Sequence, residues 1–145
     1  MSLITWKKKF YRVPADTDMS TLEAIDHSLK KWIGLRAENM EKHGLEKKTG
    51  ATGYLSIITD GSEIMRIGTV SCALCVKFYP DPKSEQHNCV DCPLYVANGR
   101  RRCDEDNENG VNLFFIWNSK ITCDPEPMIA ALRRTSNLQY RRRTL

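Results

Sequence analysis

Two Cys-x-x-Cys pairs, Cys72–Cys75 and Cys89–Cys92, are separated by thirteen residues and form the one pattern in the chain that calls for a particular chemistry. Two intervening residues let a chain turn and aim both sulfurs of a pair the same way. Two such turns can offer four thiolates to one tetrahedral ion, the donor set zinc prefers. Four protein ligands close the coordination sphere and leave no position for a water nucleophile. The expected ion is therefore a structural Zn2+ held by Cys72, Cys75, Cys89 and Cys92. Pro93 directly after the second pair fixes the exit from its turn.

Two further residues could alter this ligand set. Cys103 lies close enough in sequence to replace one cysteine, and His87, two residues before Cys89, carries an imidazole that also suits zinc. Cys123, between Thr122 and Asp124, is read as a thiol outside the cluster. A redox Cys-x-x-Cys normally opens a helix after a strand in a βαβ unit, and no such unit is legible here.

The composition sets the frame for this cluster. A chain of 145 residues fits one domain, 1–145, and its hydrophobic fraction of 41% allows a thin core. Residues 79–110 are dominated by Pro, Asp, Asn, Glu, Arg and Gly, so a metal crosslink would replace apolar contacts there. Lys7, Lys8 and Lys9 are followed by no apolar run, and no stretch approaches the ~18 apolar residues of a membrane span. The expectation is a protein of a reducing cytoplasm, where cysteines hold metal more often than they form disulfides.

The elements that must position the cysteines are partly legible. Ser20 and Glu23 have capping-box spacing, and Leu22, Ile25, Leu29, Trp32 and Ile33 form an apolar stripe, which predicts an amphipathic helix over Met19–Gly44. Lys30 and Lys31 are assigned to its solvent side, and Gly44 to its end. Gly34 inside it marks a bend or a close packing contact. Glu46–Gly53 reads as a polar loop. Tyr54–Thr59 and Glu63–Val70 read as strands joined at Asp60–Gly61, leading into Cys72. The apolar run Val111–Trp117 reads as a buried strand, Glu126–Leu138 as a short helix, and 139–145 as a frayed basic tail. The resulting fold class is α+β: an N-terminal amphipathic helix on a small antiparallel sheet, with a zinc ribbon-like lobe at about 71–104 between strand segments and a short C-terminal helix.

SCALCVKFYP at Ser71–Pro80 and CVDCPLYVANGRRRC at Cys89–Cys103 resemble small uncharacterised zinc-binding proteins of bacteriophage and prophage genomes. Their pattern is a CALC-like pair, a variable loop, a CxxCP pair and a fifth cysteine after a glycine. The stretch AIDHSLKKWIGLRAENMEKHGL at Ala24–Leu45 is similar to the helix that precedes this cluster in such proteins. The chain departs from the pattern after Cys103, where DEDNENG replaces a Thr-Pro-Tyr-like ending. The resemblance implies a phage accessory protein of the host bacterial cytoplasm and strengthens Cys103 as a ligand or close neighbour of the metal. It supplies no reaction.

Other signals are weaker. His27 reads as a solvent-facing or capping-network histidine, and His43 as a cation favoured by a helix C-terminus. Phosphate-loop and dinucleotide motifs are absent, and Asp104–Glu108 reads as a solvated acidic loop. The net charge of +4, from 22 basic and 18 acidic residues, is mild, but the positives cluster. Arg100, Arg101 and Arg102 would sit on a zinc-ordered loop with Tyr95 as a stacking neighbour, and Arg141, Arg142 and Arg143 would extend that surface. No catalytic constellation emerges. The functional expectation is a non-enzymatic, zinc-stabilised phage accessory protein that binds a host or phage macromolecule, a protein before a nucleic acid, inhibition of a defence system being one such action. The alternative is a nucleic-acid-binding regulator that uses the arginine clusters.

Overall fold

The computed structural model describes residues 2–49, 56–68, 71–78, 91–103, 105–107, 109–118 and 123–144. The order of elements is α1 (Leu3–Phe10), α2 (Thr21–Gly34), α3 (Ala37–Lys42), β1 (Glu46–Thr49), β2 (Ser56–Thr59), β3 (Ile64–Ile67), α4 (Ala73–Phe78), α5 (Pro93–Ala97), α6 (Phe115–Asn118) and α7 (Glu126–Thr144). The class is α+β, with a three-stranded antiparallel sheet in the order β1-β2-β3 and a helix at the C-terminus.

The capping box expected at Ser20 is present: the Glu23 N–H donates to Ser20 Oγ at 3.2 Å and the Ser20 N–H to Glu23 Oε1 at 3.1 Å. The helix it starts stops at Gly34 instead of running to Gly44, and α3 follows after a bend at Leu35 and Arg36. Close packing explains the break. A Cβ on Gly34 would fall 2.6 Å from Phe10 Cγ, and the Trp6 indole N–H donates to the Gly34 carbonyl at 2.8 Å. The Asn39 amide takes the Ile33 carbonyl at 2.8 Å. Arg36 then reaches Glu126 through two bonds of 2.6 and 3.1 Å, tying the bend to the start of α7.

Gly44 does end a helix, but that helix is α3. Its φ of +66° lets the Leu45 N–H return to the Met40 carbonyl at 2.9 Å and its own N–H to the Glu41 carbonyl at 3.0 Å. Leu45 and Met40 are both buried beside this turn.

Helix α1, absent from the sequence reading, places Leu3, Trp6 and Phe10 inside at three-four spacing. Asp60 in the β2–β3 turn anchors its start, because Asp60 Oδ2 accepts from the Leu3 N–H at 3.0 Å. Asp60 Oδ1 accepts from the N–H groups of Ser62 and Glu63, at 2.9 and 2.8 Å. These backbone donors hold the Asp60 carboxyl well below the usual carboxylate range.

The supposed loop at Glu46–Gly53 begins as edge strand β1, in register with β2 through Lys47↔Ile58 and Thr49↔Ser56. Its sequence, EKKT, has no apolar residue to announce a strand. Inward-pointing Lys47 is satisfied by the Trp117 carbonyl at 2.5 Å and lies 4.9 Å from the Trp117 ring. In the hairpin, Ile58 faces Met65 and Ser56 faces Ile67, all four buried. Tyr54, Leu55 and Val70, expected at strand ends, lie outside the described residues.

The strand expected at Val111–Trp117 is a turn followed by α6. Only an isolated bridge, Asp106↔Asn112, has β character among the described residues of this segment. The Ile116 and Asn118 N–H groups bond back to the carbonyls of Asn112 and Phe114, at 3.1 and 2.9 Å. Leu113 and Trp117 still reach the core, since four residues also return to one face of a helical turn. Trp117 and Phe114 meet Trp32 edge-on at centroid distances of 5.3 and 6.3 Å. Among the described residues no strand follows β3. Helix α7 is 19 residues long and includes residues 139–144 of the segment assigned to a frayed tail. It packs most extensively on α2 and also on α5, with Met128, Ile129, Ala131 and Leu132 buried.

Candidate metal centre

The first cysteine pair sits where β3 passes into α4. Ser71 closes this turn by hydrogen bonding with the Gly68 N–H and carbonyl, at 3.1 and 3.2 Å. Cys72 then immediately precedes α4, and its Sγ accepts from the Cys75 N–H at 3.5 Å, as a capping side chain would. The second pair ends in a similar position. Cys92 is the N-cap of α5 and Pro93 its first residue, a place where the missing N–H costs nothing. The turns expected at the two pairs are therefore, where described, the starts of two short helices. Cys89 and His87 lie outside the described residues.

Helix α2 supports the first pair. Ser28, 1% exposed, sets Oγ 3.7 Å from Cys72 Sγ. Lys31, assigned by sequence to the solvent side, is also 1% exposed. Its ammonium donates to the Ser71 carbonyl at 3.3 Å and lies 5.5 Å from the Trp32 ring. A buried cation needs a compensating charge. A hydrogen bond from the Cys75 thiol pulls the Cys72 thiol well below its ordinary value against the opposing effect of burial, and the Lys31 charge pulls the same way. The hydrogen bond to Cys72 and burial push Cys75 up, and the charge of Cys103 adds to that rise.

Cys103 is held near this pair by its own scaffold. The Phe114 N–H donates to the Cys103 carbonyl at 2.8 Å. Asn98, buried at the end of α5, uses its amide to bind the carbonyls of Arg101 and Arg102 at 3.1 and 3.3 Å, and accepts from the Asn107 amide at 3.1 Å. Among the described residues no three His, Cys, Asp or Glu side chains form a group able to hold a metal ion. What is brought together is the sulfur pair of Cys72 and Cys75, with Cys103 bearing on its charge.

The donor chemistry of this pair, two thiols and a nearby third, matches a soft borderline ion such as zinc. Cys72 and Cys75 would supply two ligands, with Cys92, Cys103 and Cys89 as the remaining thiols. No family model matches the chain, and no curated protein or solved structure matches it.

The arginine clusters are placed less uniformly than their spacing suggests. Gly99 and Arg100 both have positive φ, 67° and 61°, where the chain turns back and the Arg100 N–H meets the Tyr95 carbonyl at 2.8 Å. Arg100 and Arg101 are exposed, whereas Arg102 Nε binds Glu105 at 3.0 Å. Arg141 is exposed on α7, and of Arg142 and Arg143 the backbone alone is described.

Two histidines depart from expectation. His27 is buried: its Nε2 donates to the Val13 carbonyl at 2.7 Å, and its ring meets Tyr11 edge-on at 4.7 Å. His43 is the C-cap of α3, but burial first, and then the charges of Lys9 and Lys42, lower its pKa. Cys123, with a φ of +45°, accepts from the Lys47 ammonium at 3.1 Å.

Proposed function

We propose that this chain is a non-catalytic binding module in which a structural zinc ion fixes the 71–103 lobe and the loops of that lobe meet a macromolecular partner. The observation that carries the reading is the Cys72–Cys75 pair, capped by a backbone N–H and backed by the buried Lys31 and Ser28 of α2. A closed thiolate site of this kind supplies folding free energy and no nucleophile. The resemblance of the cysteine pattern to phage proteins favours a host or phage protein as the partner, in the host cytoplasm, with inhibition of a defence system as its action.

The exposed Arg100 and Arg101 at the turn after α5 would be the part of the lobe most dependent on the metal. Metal analysis of purified protein is expected to give one zinc per chain. Cys72→Ser and Cys75→Ser are expected to lose it, and chelator is expected to expose the α5–Arg102 segment to protease while α2 and α7 stay protected. Metal-free protein with a chelator-insensitive digestion pattern would overturn the reading. Cys103→Ser and Cys89→Ser, compared for zinc retention, would decide which of these thiols completes the set.

A further inference from the structure

A second surface owes nothing to the cysteines. Helix α1 buries Leu3, Trp6 and Phe10, which leaves Thr5, Lys8 and Lys9 on its outward side and Arg12 just beyond its end. These four residues, with Lys30 of α2 and His43 at the end of α3, line an open cleft of about 370 Å³. Among the described residues that line it, none is acidic. Lys30 is shared with Asp26 at 3.1 Å, both side chains being more than half exposed. Lys8, Lys9 and Arg12 are exposed and make no ion pair among the described residues.

The cleft is electrically unsatisfied. Thr5 Oγ1 lies 2.8 Å from the Ser2 carbonyl, to which its hydroxyl proton can go. The 2.9 Å contact between Thr5 Oγ1 and His43 Nδ1 is then donated by the histidine. The remaining ring nitrogen, Nε2, completes an imidazole that burial, Lys9 and Lys42 keep below its ordinary pKa. Like charges gathered around a concavity repel one another, and an anion there relieves the repulsion.

We propose that this cleft binds the phosphate backbone of a nucleic acid. The donors decide between a single phosphate and a polyanion. A phosphate cradle is built from converging backbone N–H groups at a helix start. Here α1 and α3 both present their C-terminal ends, so the positive charge comes entirely from long, exposed side chains. Such cations suit a ligand whose charge repeats every ~3.4 Å along a strand. No Phe, Tyr or Trp ring lines the cleft among the described residues, and His43 is held through Nδ1 to Thr5, so the contacts fall on phosphates and the binding is indifferent to base sequence.

The test uses the full chain as purified, with fluorescent 20-mer DNA, single- and double-stranded, across a salt series. Duplex binding is expected with a log–log salt slope of about −3, from three or four phosphate contacts. Lys8→Gln with Arg12→Gln should weaken binding about tenfold at low salt and reduce the slope by about 2. Arg101→Gln should leave both unchanged. Circular dichroism confirms that the exposed substitutions keep the helices.

Four results would overturn the inference: no binding at low salt, binding insensitive to the double substitution, tighter binding of pyrophosphate than of the 20-mer, or binding of anionic vesicles without binding of DNA. The cleft does not rest on the zinc reading. Chelator-treated protein that still binds DNA through Lys8 and Arg12 separates the two.

Discussion

The Lys31 ammonium donates to the Ser71 carbonyl oxygen at 3.3 Å, which places a buried cation one residue ahead of Cys72. A lysine with almost no exposed surface is costly unless an anion accompanies it. On the proposed zinc reading, thiolates around the metal would carry excess negative charge, and the lysine and the cysteine site would stabilise each other. Lys31→Met keeps most of the volume and removes the charge. Zinc retention, measured by chelator competition, is expected to fall by about tenfold, the lower end of the range for groups that support metal ligands. Unchanged retention would reduce Lys31 to a packing residue.

Gly34→Ala tests the contact between α1 and α2. Alanine is favoured in a helix by about 1 kcal/mol. That gain is outweighed here, because the new Cβ would stand 2.6 Å from Phe10 Cγ and 2.7 Å from Phe10 Cβ. Overpacking typically costs about 1–3 kcal/mol, so net destabilisation in urea unfolding is expected. Combining it with Phe10→Ala should give less than the sum of the two single losses, since the clash disappears with the ring.

Asp60 makes stability depend on acid. Its folded-state pKa lies below the unfolded value of 3.8, so its contribution is fully present above that value and is lost as pH falls towards the depressed folded pKa. Asp60→Asn is expected to be less stable than the parent at neutral pH. The difference should shrink as pH drops below about 4, read from urea midpoints at pH 7, 4 and 3. A difference that grows in acid would contradict the role of the Leu3, Ser62 and Glu63 N–H donors.

Asn98 holds the chain on which Arg100–Arg102 and Cys103 depend. Asn98→Ala removes three side-chain bonds and leaves the Asn107 amide without its acceptor. A loss of about 1–3 kcal/mol is expected in urea unfolding, the range for leaving buried polar groups unsatisfied. Proteolysis of the 98–103 segment should rise more than that of α7. Equal protection in both places would show that the clamp is dispensable.

The arginine and lysine clusters looked alike in sequence, as short basic runs on a mildly basic chain. The fold separates them. Arg102 is spent on Glu105, while Lys8, Lys9 and Arg12 are joined by Lys30 and His43 from other helices around one concavity. Periodicity within α1 would have shown the stripe Thr5, Lys8, Arg12. The partners from α2 and α3 could not have been paired with it, because nothing local specifies where three helices meet.

Local rules fixed what depends on near neighbours. Ser20 with Glu23, the turn at Asp60–Gly61, the left-handed Gly44 and the two-residue spacing of the cysteines are contacts within a few residues, and sequence alone determined them. Competition between distant segments decided the rest. Whether Val111–Trp117 pairs as a strand or coils into α6 depends on which edge receives it, and its apolar run suits either. Lys31 looked like a surface residue because charge usually seeks water. The tertiary structure buried it, and the Ser71 carbonyl, forty residues further on, takes the hydrogen bond that water would have taken.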